Sequence, residues 1–483
     1  MIVLNPLITD GAILQAQEDV LIAGHTSVLG RYVARLGDEV QTALTDTSGN
    51  FLFRFAKRPY NTVESLVVDD IYIGDLHFGQ VYLFAGQSNI EFKMQQETHF
   101  NEEEAWLAEN ELAIKYFQVP QIEYENGAEI LPENLAWNGW QELNSQSLGQ
   151  LSAAAYYAMK EFCAANPTIP VGIVECNKGG TSASAWISQE FLARSASIME
   201  SLVAPYQAQY QGKTDEELDL VTQAFYQTAE KYYALRAKWV KENPEMSLGE
   251  IKDIIGGSPW PPPATRKSFL RPSGLYQTMF QKITPFSFGA VVWYQGEEDS
   301  GNATIYEELL SLLIAQWRRD LMNEALPFYI VQLPIYNERA PKDWPLIRLA
   351  QANVAQKLAN VYLEVTIDTG LVDDIHPPDK SLVGKRLGEL IIQKHYANCP
   401  IAKIEQIKEN SITLEVMSAK SLSETSFKLM FNEQMITAQV VDNKIEVPVN
   451  QKGTLSFAYE KVPEQTVFNE VGYPLSPFRF TIF

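Results

Sequence analysis

The sequence has few cysteines and no long apolar run, and each shortage excludes a class of protein. Only three of the 483 residues are cysteines. They are Cys163, Cys176 and Cys399, an odd and widely spaced set that predicts buried free thiols rather than disulfides or a CxxC metal site. No apolar stretch approaches the ~20 residues that a membrane-spanning helix needs. The N-terminus lacks the basic segment and apolar core of a signal peptide, so we expect a cytoplasmic protein, or a secreted one if a leader has been removed.

Basic residues are also scarce. The chain has 38 Lys and Arg against 60 Asp and Glu, a formal net charge of −22. Nucleic acid and anionic membrane surfaces repel such a chain, so neither is expected as a partner. The composition is otherwise that of a globular protein, with 46% hydrophobic residues. The length predicts two to four domains.

The pattern of apolar residues changes twice along the chain and predicts three domains. Residues 1–75 have short alternating segments separated by turn residues, as in a β-sandwich. Residues 76–396 alternate apolar strands with helical patterns, which predicts an α/β domain with a mainly parallel sheet. A charged helical insertion interrupts this domain at about residues 189–267. Residues 397–483 return to short strands and form a second β domain.

Four polar segments follow predicted strands of the α/β domain. They are GQSN (86–89), NKGGTSASAW (177–186), QGEEDSGN (295–302) and DDIHPPDK (373–380). Open α/β sheets bind ligands beyond the carboxyl ends of their strands. We therefore expect these four segments to meet at one edge of the sheet.

Ser88 in the first segment either caps the following helix or is a nucleophile on a sharp strand-to-helix turn. A serine nucleophile needs a base, and the chain has only five histidines. His376 is the best placed, because it follows a strand and has Asp373 and Asp374 just upstream, where a carboxylate would orient the imidazole. His99 is the reserve candidate.

The other two segments offer groups for binding an oxyanion. The backbone of Gly180 is free to approach a substrate and donate its N–H. The side-chain amide of Gln295 is a second possible donor. Glu297, two residues on, either orients the loops or acts on the substrate.

Together, GQSN, the Gly-Gly-Thr segment, VVWYQGE and DIHP resemble the sialate O-acetylesterase family of SGNH-type carbohydrate esterases. The similarity continues through DGAILQ near the start and NEVGYPLSPFRF near the end, in family order. The resemblance implies a flavodoxin-like three-layer α/β domain between two β-sandwich-type domains. It also implies an acetylated carbohydrate as substrate, and neither a metal nor an organic cofactor.

The resemblance also implies roles for individual residues. Ser88 matches the nucleophile and His376 the general base and acid. The backbone N–H groups of Ser88 and Gly180 match oxyanion donors, and Gln295 would take the place that an asparagine side chain holds in other SGNH enzymes.

The resemblance does not decide which aspartate orients the histidine, because the broader SGNH pattern points to Asp373 and many close relatives point to Asp374. Two positions depart from the usual family sequences GQSNM and QGESN: this chain has Ile90, and then Glu298 and Asp299. The first change keeps an apolar contact. The second could alter loop hydrogen bonds and specificity.

The hypothesis from sequence is hydrolysis of carbohydrate O-acetyl esters, with O-acetylated sialic acid as the substrate and an acetyl-serine intermediate. Asn89, Glu297 and Arg348 are candidate substrate-binding residues, although Asn89 could hold the turn and Arg348 could form a structural salt bridge. Trp260 either walls a sugar site or packs the insertion onto the domain. The alternatives are an esterase for acetylxylan or another polysaccharide, and a non-catalytic carbohydrate-binding protein.

Overall fold

The computed structural model of the protein describes residues 1–133, 135–337, 342–393, 400–449 and 451–482. The chain begins with eight strands: β1 (Ile2–Leu4), β2 (Ile13–Gln15), β3 (Val20–Thr26), β4 (Arg31–Leu36), β5 (Glu39–Leu44), β6 (Asn50–Phe55), β7 (Val63–Val68) and β8 (Ile71–Gly86). One sheet has the order β1-β3-β6, and β4, β5, β7, β2 and β8 belong to another. Strand β6 has one buried and one exposed face, since Phe51, Phe53 and Phe55 are buried while Asn50 and Arg54 are exposed.

Strand β8 joins this region to the rest of the protein. Its first half pairs with β7 and β2. Its second half continues without interruption into the central sheet. The predicted division between residues 75 and 76 therefore falls inside one strand. The division between residues 396 and 397 lies outside the described residues, so the domain boundaries stay predictions.

The central sheet adds strands β9 (Ile114–Gln118), β12 (Gln141–Glu142), β13 (Val171–Asn177), β14 (Ala290–Tyr294), β15 (Phe328–Val331) and β16 (Val361–Glu364), and a small hairpin is formed by β10 (Tyr124–Glu125) and β11 (Ile130–Leu131). The order is β12-β9-β13-β8-β14-β15-β16. All neighbours on this path are parallel except β12 and β9. The apolar strands expected within residues 76–396 are present as β8, β13, β14, β15 and β16, and β9 and β12 are additional. Strand β8 lies at the centre, where the strand order reverses, which is where open α/β sheets place their ligand crevice.

Twelve α-helices are described: α1 (Ser88–Glu91), α2 (Phe100–Glu109), α3 (Ala153–Ala165), α4 (Gln189–Leu192), α5 (Ala196–Ile198), α6 (Ala204–Ala208), α7 (Asp215–Glu242), α8 (Leu248–Ile255), α9 (Gly274–Thr278), α10 (Ala303–Asp320), α11 (Trp344–Lys357) and α12 (Ser381–Gln393). A π-helical turn covers Met199–Val203, and short 3-10 helices cover Met94–Gln96, Leu148–Gln150, Ala183–Trp186, Phe280–Ile283 and Glu298–Asn302. Helix α3 packs on α12, and α10 packs on α11. Gly384 and Gly388 permit the first contact, because a Cβ at Gly384 would lie 2.3 Å from Cβ of Tyr157.

Helices α4 to α8 occupy the segment where the sequence predicts a helical insertion. The long helix α7 begins at a capping box made by Thr214 and Glu217. Only Leu218 and Ala229 of α7 are buried. The hydroxyl of Tyr232 donates to the carbonyl of Gly256 over 2.8 Å. This bond fixes the loop after α8, which leads to Trp260.

The C-terminal region differs from the predicted sandwich-type domain. It is one antiparallel sheet of seven strands, in the order β17-β18-β21-β20-β19-β22-β23. Just before the two edge strands, the N–H of Ser476 donates to the carbonyl of Pro400 over 2.9 Å. The sheet thus curves until its edges approach each other, which makes a second layer unnecessary for burying its apolar face. The strands are β17 (Ile401–Ile407), β18 (Ser411–Met417), β19 (Ser426–Phe431), β20 (Gln434–Val441), β21 (Lys444–Pro448), β22 (Gly453–Phe457) and β23 (Phe478–Ile482).

Two further observations concern the chain as a whole. Cys163 and Cys176 are buried free thiols, while Cys399 lies outside the described residues. Among the described helices, none combines the length and the apolar character required to cross a lipid bilayer.

Candidate active site

Ser88 stands at the carboxyl end of the central strand β8. Gly86 ends this strand with a φ of +136°, and a Cβ at this position would lie 2.2 Å from the carbonyl oxygen of Tyr294. Only glycine therefore fits between β8 and β14 at this turn. Gln87 is the N-cap of α1, and Ser88 is the first residue of the helix rather than its cap. The side chain of Ser88 is thus left for another contact.

That contact is His376. The Oγ atom of Ser88 lies 2.8 Å from Nε2 of His376, although the two residues are 288 positions apart in the chain. Burial lowers the pKa of His376 to about 4, and the positive charges of Lys380, Lys252 and Arg236 act in the same direction, while Asp374 opposes them. The imidazole is therefore neutral at physiological pH and able to accept a proton.

The two upstream aspartates have different positions. Oδ1 of Asp374 accepts a hydrogen bond of 2.9 Å from the backbone N–H of His376. Asp373 is exposed and forms no hydrogen bond or ion pair with the described residues. Nδ1 of His376 likewise has no hydrogen-bond partner among them. Asp374 thus fixes the histidine loop through the backbone and acts on the ring through its charge.

His99, the reserve base, is engaged elsewhere. Its Nδ1 lies 3.0 Å from Oε2 of Glu102, and its Nε2 lies 3.6 Å from Oδ2 of Asp379. Glu97, His99 and Asp379 bring potential metal-ligand atoms within 4.8 Å of one another. The carboxylate of Glu97 already accepts hydrogen bonds from the backbone N–H groups of Lys380 and His99. These contacts within the protein explain why the three side chains lie close together: they join the segment around His99 to the loop that contains Asp379.

The glycine loop after β13 lies next to Ser88. A Cβ at Gly179 would lie 3.4 Å from Cβ of Ser88. Gly180 has a φ of +72°. In the part of the chain that the structure describes, the backbone N–H groups of Ser88 and Gly180 have no hydrogen-bond acceptor. Both N–H groups predicted as oxyanion donors are thus available.

The hydrogen bonding of Gln295 differs from the prediction. Its Nε2 donates to the carbonyl of Thr181 over 3.0 Å and to Oδ2 of Asp299 over 2.7 Å. Its Oε1 accepts from the hydroxyl of Tyr306 over 3.0 Å. Both amide hydrogens are used within a fully buried side chain, so none is left for an oxyanion. Gln295 instead joins the loop after β14 to the glycine loop.

Asn89 and Glu297 are also corrections to the predicted substrate contacts, because both side chains are buried. Nδ2 of Asn89 donates to Oε1 of Glu297 over 2.6 Å and to the carbonyl of Ile375 over 3.0 Å. Its Oδ1 accepts from Nζ of Lys380 over 2.8 Å. Asn89 therefore holds the turn, which settles the alternative that the sequence leaves open.

This buried cluster, made by Asn89, Glu297 and Lys380, carries ionisable groups. Burial raises the pKa of Glu297 to about 7, although the Asn89 hydrogen bond and the charge of Lys380 oppose the change. Burial lowers the pKa of Lys380 to about 8. Oε2 of Glu297 is buried and has no hydrogen-bond partner among the described residues. The cluster thus holds charged groups at a cost in desolvation.

Arg348 does not reach the site. Its side chain is fully buried in α11, and burial lowers its pKa to about 10. Nη2 donates to the backbone carbonyl of Glu460 in the C-terminal region. A buried guanidinium with this contact cannot meet a substrate, so the prediction of a substrate-binding role is wrong.

Two site residues were missed as such. Lys380 ends the DDIHPPDK segment, and its position four residues after His376 was the available signal. Asp299 is the second family departure. It is buried, and it accepts from Gln295, from Oγ of Ser182 over 2.6 Å and from the N–H of Ala183 over 2.8 Å. Asp299 therefore links the loop after β14 to the glycine loop.

Comparisons with known proteins point to a family of carbohydrate esterases. Residues 234–394 match the family of carbohydrate esterases described as sialic acid-specific acetylesterase. The matched segment contains His376, while Ser88 lies before it. The sialate O-acetylesterase of Mus musculus is 24% identical over 342 residues, covering 65% of this chain and 56% of the relative. That of Rattus norvegicus is 23% identical over 349 residues, with the same coverage.

The predicted relationship to the sialate O-acetylesterase family is confirmed. The match spans only 56% of the length of these family members. A carbohydrate acetylesterase from Xanthomonas citri, of known structure, is 21% identical and covers 99% of both chains with a TM-score of 0.72. This likeness shows that the two proteins share the fold, including its mixed α/β sheet.

Replacing Asn89 should destabilise the protein. Asn89→Ala removes the hydrogen bonds that compensate the buried Lys380 and Glu297 groups, and losing a hydrogen bond to a buried charged group costs about 1.5–3 kcal/mol. Urea unfolding measures this change, with Asn101→Ala as the control because Asn101 is exposed on α2. An Asn89→Ala variant as stable as the control would contradict a structural role for the cluster.

Proposed function

We propose that this protein is a serine esterase that hydrolyses O-acetyl esters of carbohydrates. The observation that carries the proposal is the 2.8 Å contact between Oγ of Ser88 and Nε2 of His376, beside two free backbone N–H groups. A nucleophile, a neutral base and oxyanion donors at the carboxyl edge of a parallel sheet are the parts that acyl transfer requires. The relatives named sialate O-acetylesterase support the same chemistry.

The reaction takes two steps. His376 accepts the proton of Ser88 while Oγ attacks the carbonyl carbon of the acetyl ester, and the N–H groups of Ser88 and Gly180 bind the oxyanion. His376 then returns the proton to the sugar oxygen, which leaves, and an acetyl-serine remains. Water, activated by the same histidine, releases acetate and restores Ser88. Each step uses groups of the protein and needs no cofactor.

The arrangement of elements supports an SGNH-type layout for the catalytic region. Strand β8 carries Ser88 at the centre of the parallel sheet. The helices pack in two pairs, α3 with α12 and α10 with α11. The three-layer organisation that the resemblance implies would place one pair on each face of the sheet. The cytoplasmic location stays a prediction.

A second observation favours a sugar that carries a carboxylate, as sialic acid does. The positive charges of Lys252 and Arg236, both on the insertion, lower the pKa of His376. Neither side chain forms an ion pair with a described residue, in a chain whose net charge is −22. Two cations whose charges act on the catalytic histidine, without a carboxylate partner among the described residues, would attract an anionic ester. They replace Arg348 as the candidate carboxylate ligands.

The test of the esterase proposal is Ser88→Ala. The variant should lose at least about 10⁴-fold in kcat for p-nitrophenyl acetate, because no other group replaces the nucleophile. Ser48→Ala, an exposed serine of the N-terminal region, should keep full activity. A fluorophosphonate should label the wild-type protein at Ser88 and leave Ser88→Ala unlabelled. Retained activity in Ser88→Ala would overturn the proposal, and a wild-type protein inactive on every ester would favour the carbohydrate-binding alternative.

The pH dependence should follow the lowered pKa of His376. The base acts in its neutral form, so kcat/KM should rise with pH through about 4 and be flat around neutrality. A pH–rate profile with p-nitrophenyl acetate measures this. The pKa of Glu297 is about 7, so the profile is repeated with Glu297→Gln to remove that titration. A midpoint near 6.5 in both proteins would contradict a buried, neutral base.

The substrate proposal is tested by removing both cations. The double variant Arg236→Gln, Lys252→Gln should lose the preference for O-acetylated sialic acid over its neutral methyl ester, by about 10- to 100-fold in the ratio of kcat/KM. The control is Lys231→Gln, Lys241→Gln, which removes the same charge from exposed positions of α7. An unchanged preference would refute the role of the two cations. Faster acetate release from acetylxylan than from the sialic acid ester would support the polysaccharide alternative.

A further inference from the structure

The indole of Trp260 covers the glycine next to the nucleophile. A Cβ at Gly180 would lie 2.3 Å from Cη2 and 2.4 Å from Cζ2 of Trp260. The six-membered ring therefore packs directly on the α-carbon of Gly180, and only glycine permits this contact. Because Gly179 in turn lies against Ser88, the ring stands one residue away from the reacting serine.

Trp260 is fixed in this position by the catalytic loops. Its Nε1 donates to Oε2 of Glu298 over 3.1 Å. The backbone N–H of Glu298 donates to Oε1 of Gln87 over 3.3 Å, and Gln87 directly precedes Ser88. The indole also contacts Phe269, with ring centroids 6.4 Å apart. The insertion is thus linked to the nucleophile turn through Glu298, one of the two departures from the family sequence.

The ring nevertheless remains 43% exposed. A large aromatic surface that is fixed in position and exposed to solvent can contact a molecule bound in the neighbouring space. That space is the oxyanion side of Ser88, because Gly180 supplies the N–H group. The exposed part of the Trp260 ring therefore adjoins the oxyanion side of Ser88 rather than the interior of the insertion.

The directions of the ester substituents decide which part meets the ring. In the tetrahedral intermediate the oxyanion points to the N–H groups of Ser88 and Gly180. The leaving oxygen must lie near Nε2 of His376, which protonates it. The acyl substituent takes the remaining direction, away from His376, and Trp260 stands on Gly180, the residue that supplies one of the oxyanion N–H groups.

We propose that Trp260 is a specificity-determining residue that closes the acyl side of the site and limits the acyl group to acetyl. The inference rests on the proposed esterase function and adds the group that selects the acid part of the ester. A longer acyl chain would collide with the indole. A pocket of this kind typically discriminates about 10- to 200-fold for each methylene.

The test uses p-nitrophenyl acetate, propionate, butyrate and hexanoate, so that the leaving group stays constant while the acyl chain grows. Wild-type kcat/KM should fall steeply beyond acetate. Trp260→Ala should raise the ratio of butyrate to acetate activity about 10- to 100-fold, and Trp260→Leu, which keeps an apolar contact on Gly180, should give a smaller increase. Glu298→Gln, which retains an acceptor for the indole N–H, should leave the ratio unchanged.

The matched control is Trp137→Ala, because Trp137 is 36% exposed and belongs to the segment between the β10–β11 hairpin and β12. Its ratio should equal that of the wild type. A ratio in Trp260→Ala and Trp260→Leu that stays at the wild-type value, with a raised KM for the acetylated sugar, would overturn the proposal and assign the ring to the sugar instead. Failure of the esterase proposal is distinguishable, because it would show as full activity of Ser88→Ala on the same acetate ester.

Discussion

The site depends on the hydrogen bonds of one buried amide. Asn89 follows the nucleophile directly, and its side chain binds Glu297 in the loop after β14, the carbonyl of Ile375 beside the catalytic histidine, and Lys380 at the start of α12. Three segments far apart in sequence are thus held by one side chain. The contact between Ser88 and His376 exists only while these segments keep their relative positions.

The cluster around Asn89 also explains why the site tolerates buried ionisable groups. Glu297 and Lys380 are both desolvated, which shifts their pKa values toward each other, to about 7 and about 8. Oε2 of Glu297 has no partner among the described residues. Replacing buried charged groups by an apolar cluster of the same volume is often neutral or stabilising, but such a cluster could not bind the backbone carbonyl of Ile375 or fix a direction for Ser88. The cluster thus accepts a desolvation cost for Glu297 and Lys380 and in return fixes the position of Ser88 relative to the histidine loop.

The sequence predicted the positions of the loops better than the roles of their side chains. Parallel strands have their carboxyl ends at one edge, so the apolar runs before GQSN, QGEED and DDIHPPDK suffice to bring Ser88 and His376 together. The pattern cannot tell which polar residue of a loop turns inward. Gln295, Glu297 and Arg348 have the chemistry of substrate ligands, yet burial engages each in the protein. Curvature of a sheet also leaves no mark in strand patterns, so the pattern cannot distinguish the curved C-terminal sheet from the sandwich-type domain that the resemblance implies.

The geometry separates the chemistry of the site from its selectivity. The nucleophile, the base and the Asn89 cluster all belong to loops at the edge of the central sheet. The residues proposed to select the ester, Trp260 with Arg236 and Lys252, all come from the helical insertion and its exit loop. The insertion meets the catalytic loops at Trp260, which packs on Gly180 and donates a hydrogen bond to Glu298. Because Glu298 accepts the indole N–H of Trp260, a change at Glu298 should alter the proposed wall of the site while Asn89 keeps the nucleophile in place. Substitutions in the insertion can therefore change which ester is accepted without dismantling the machinery that cleaves it.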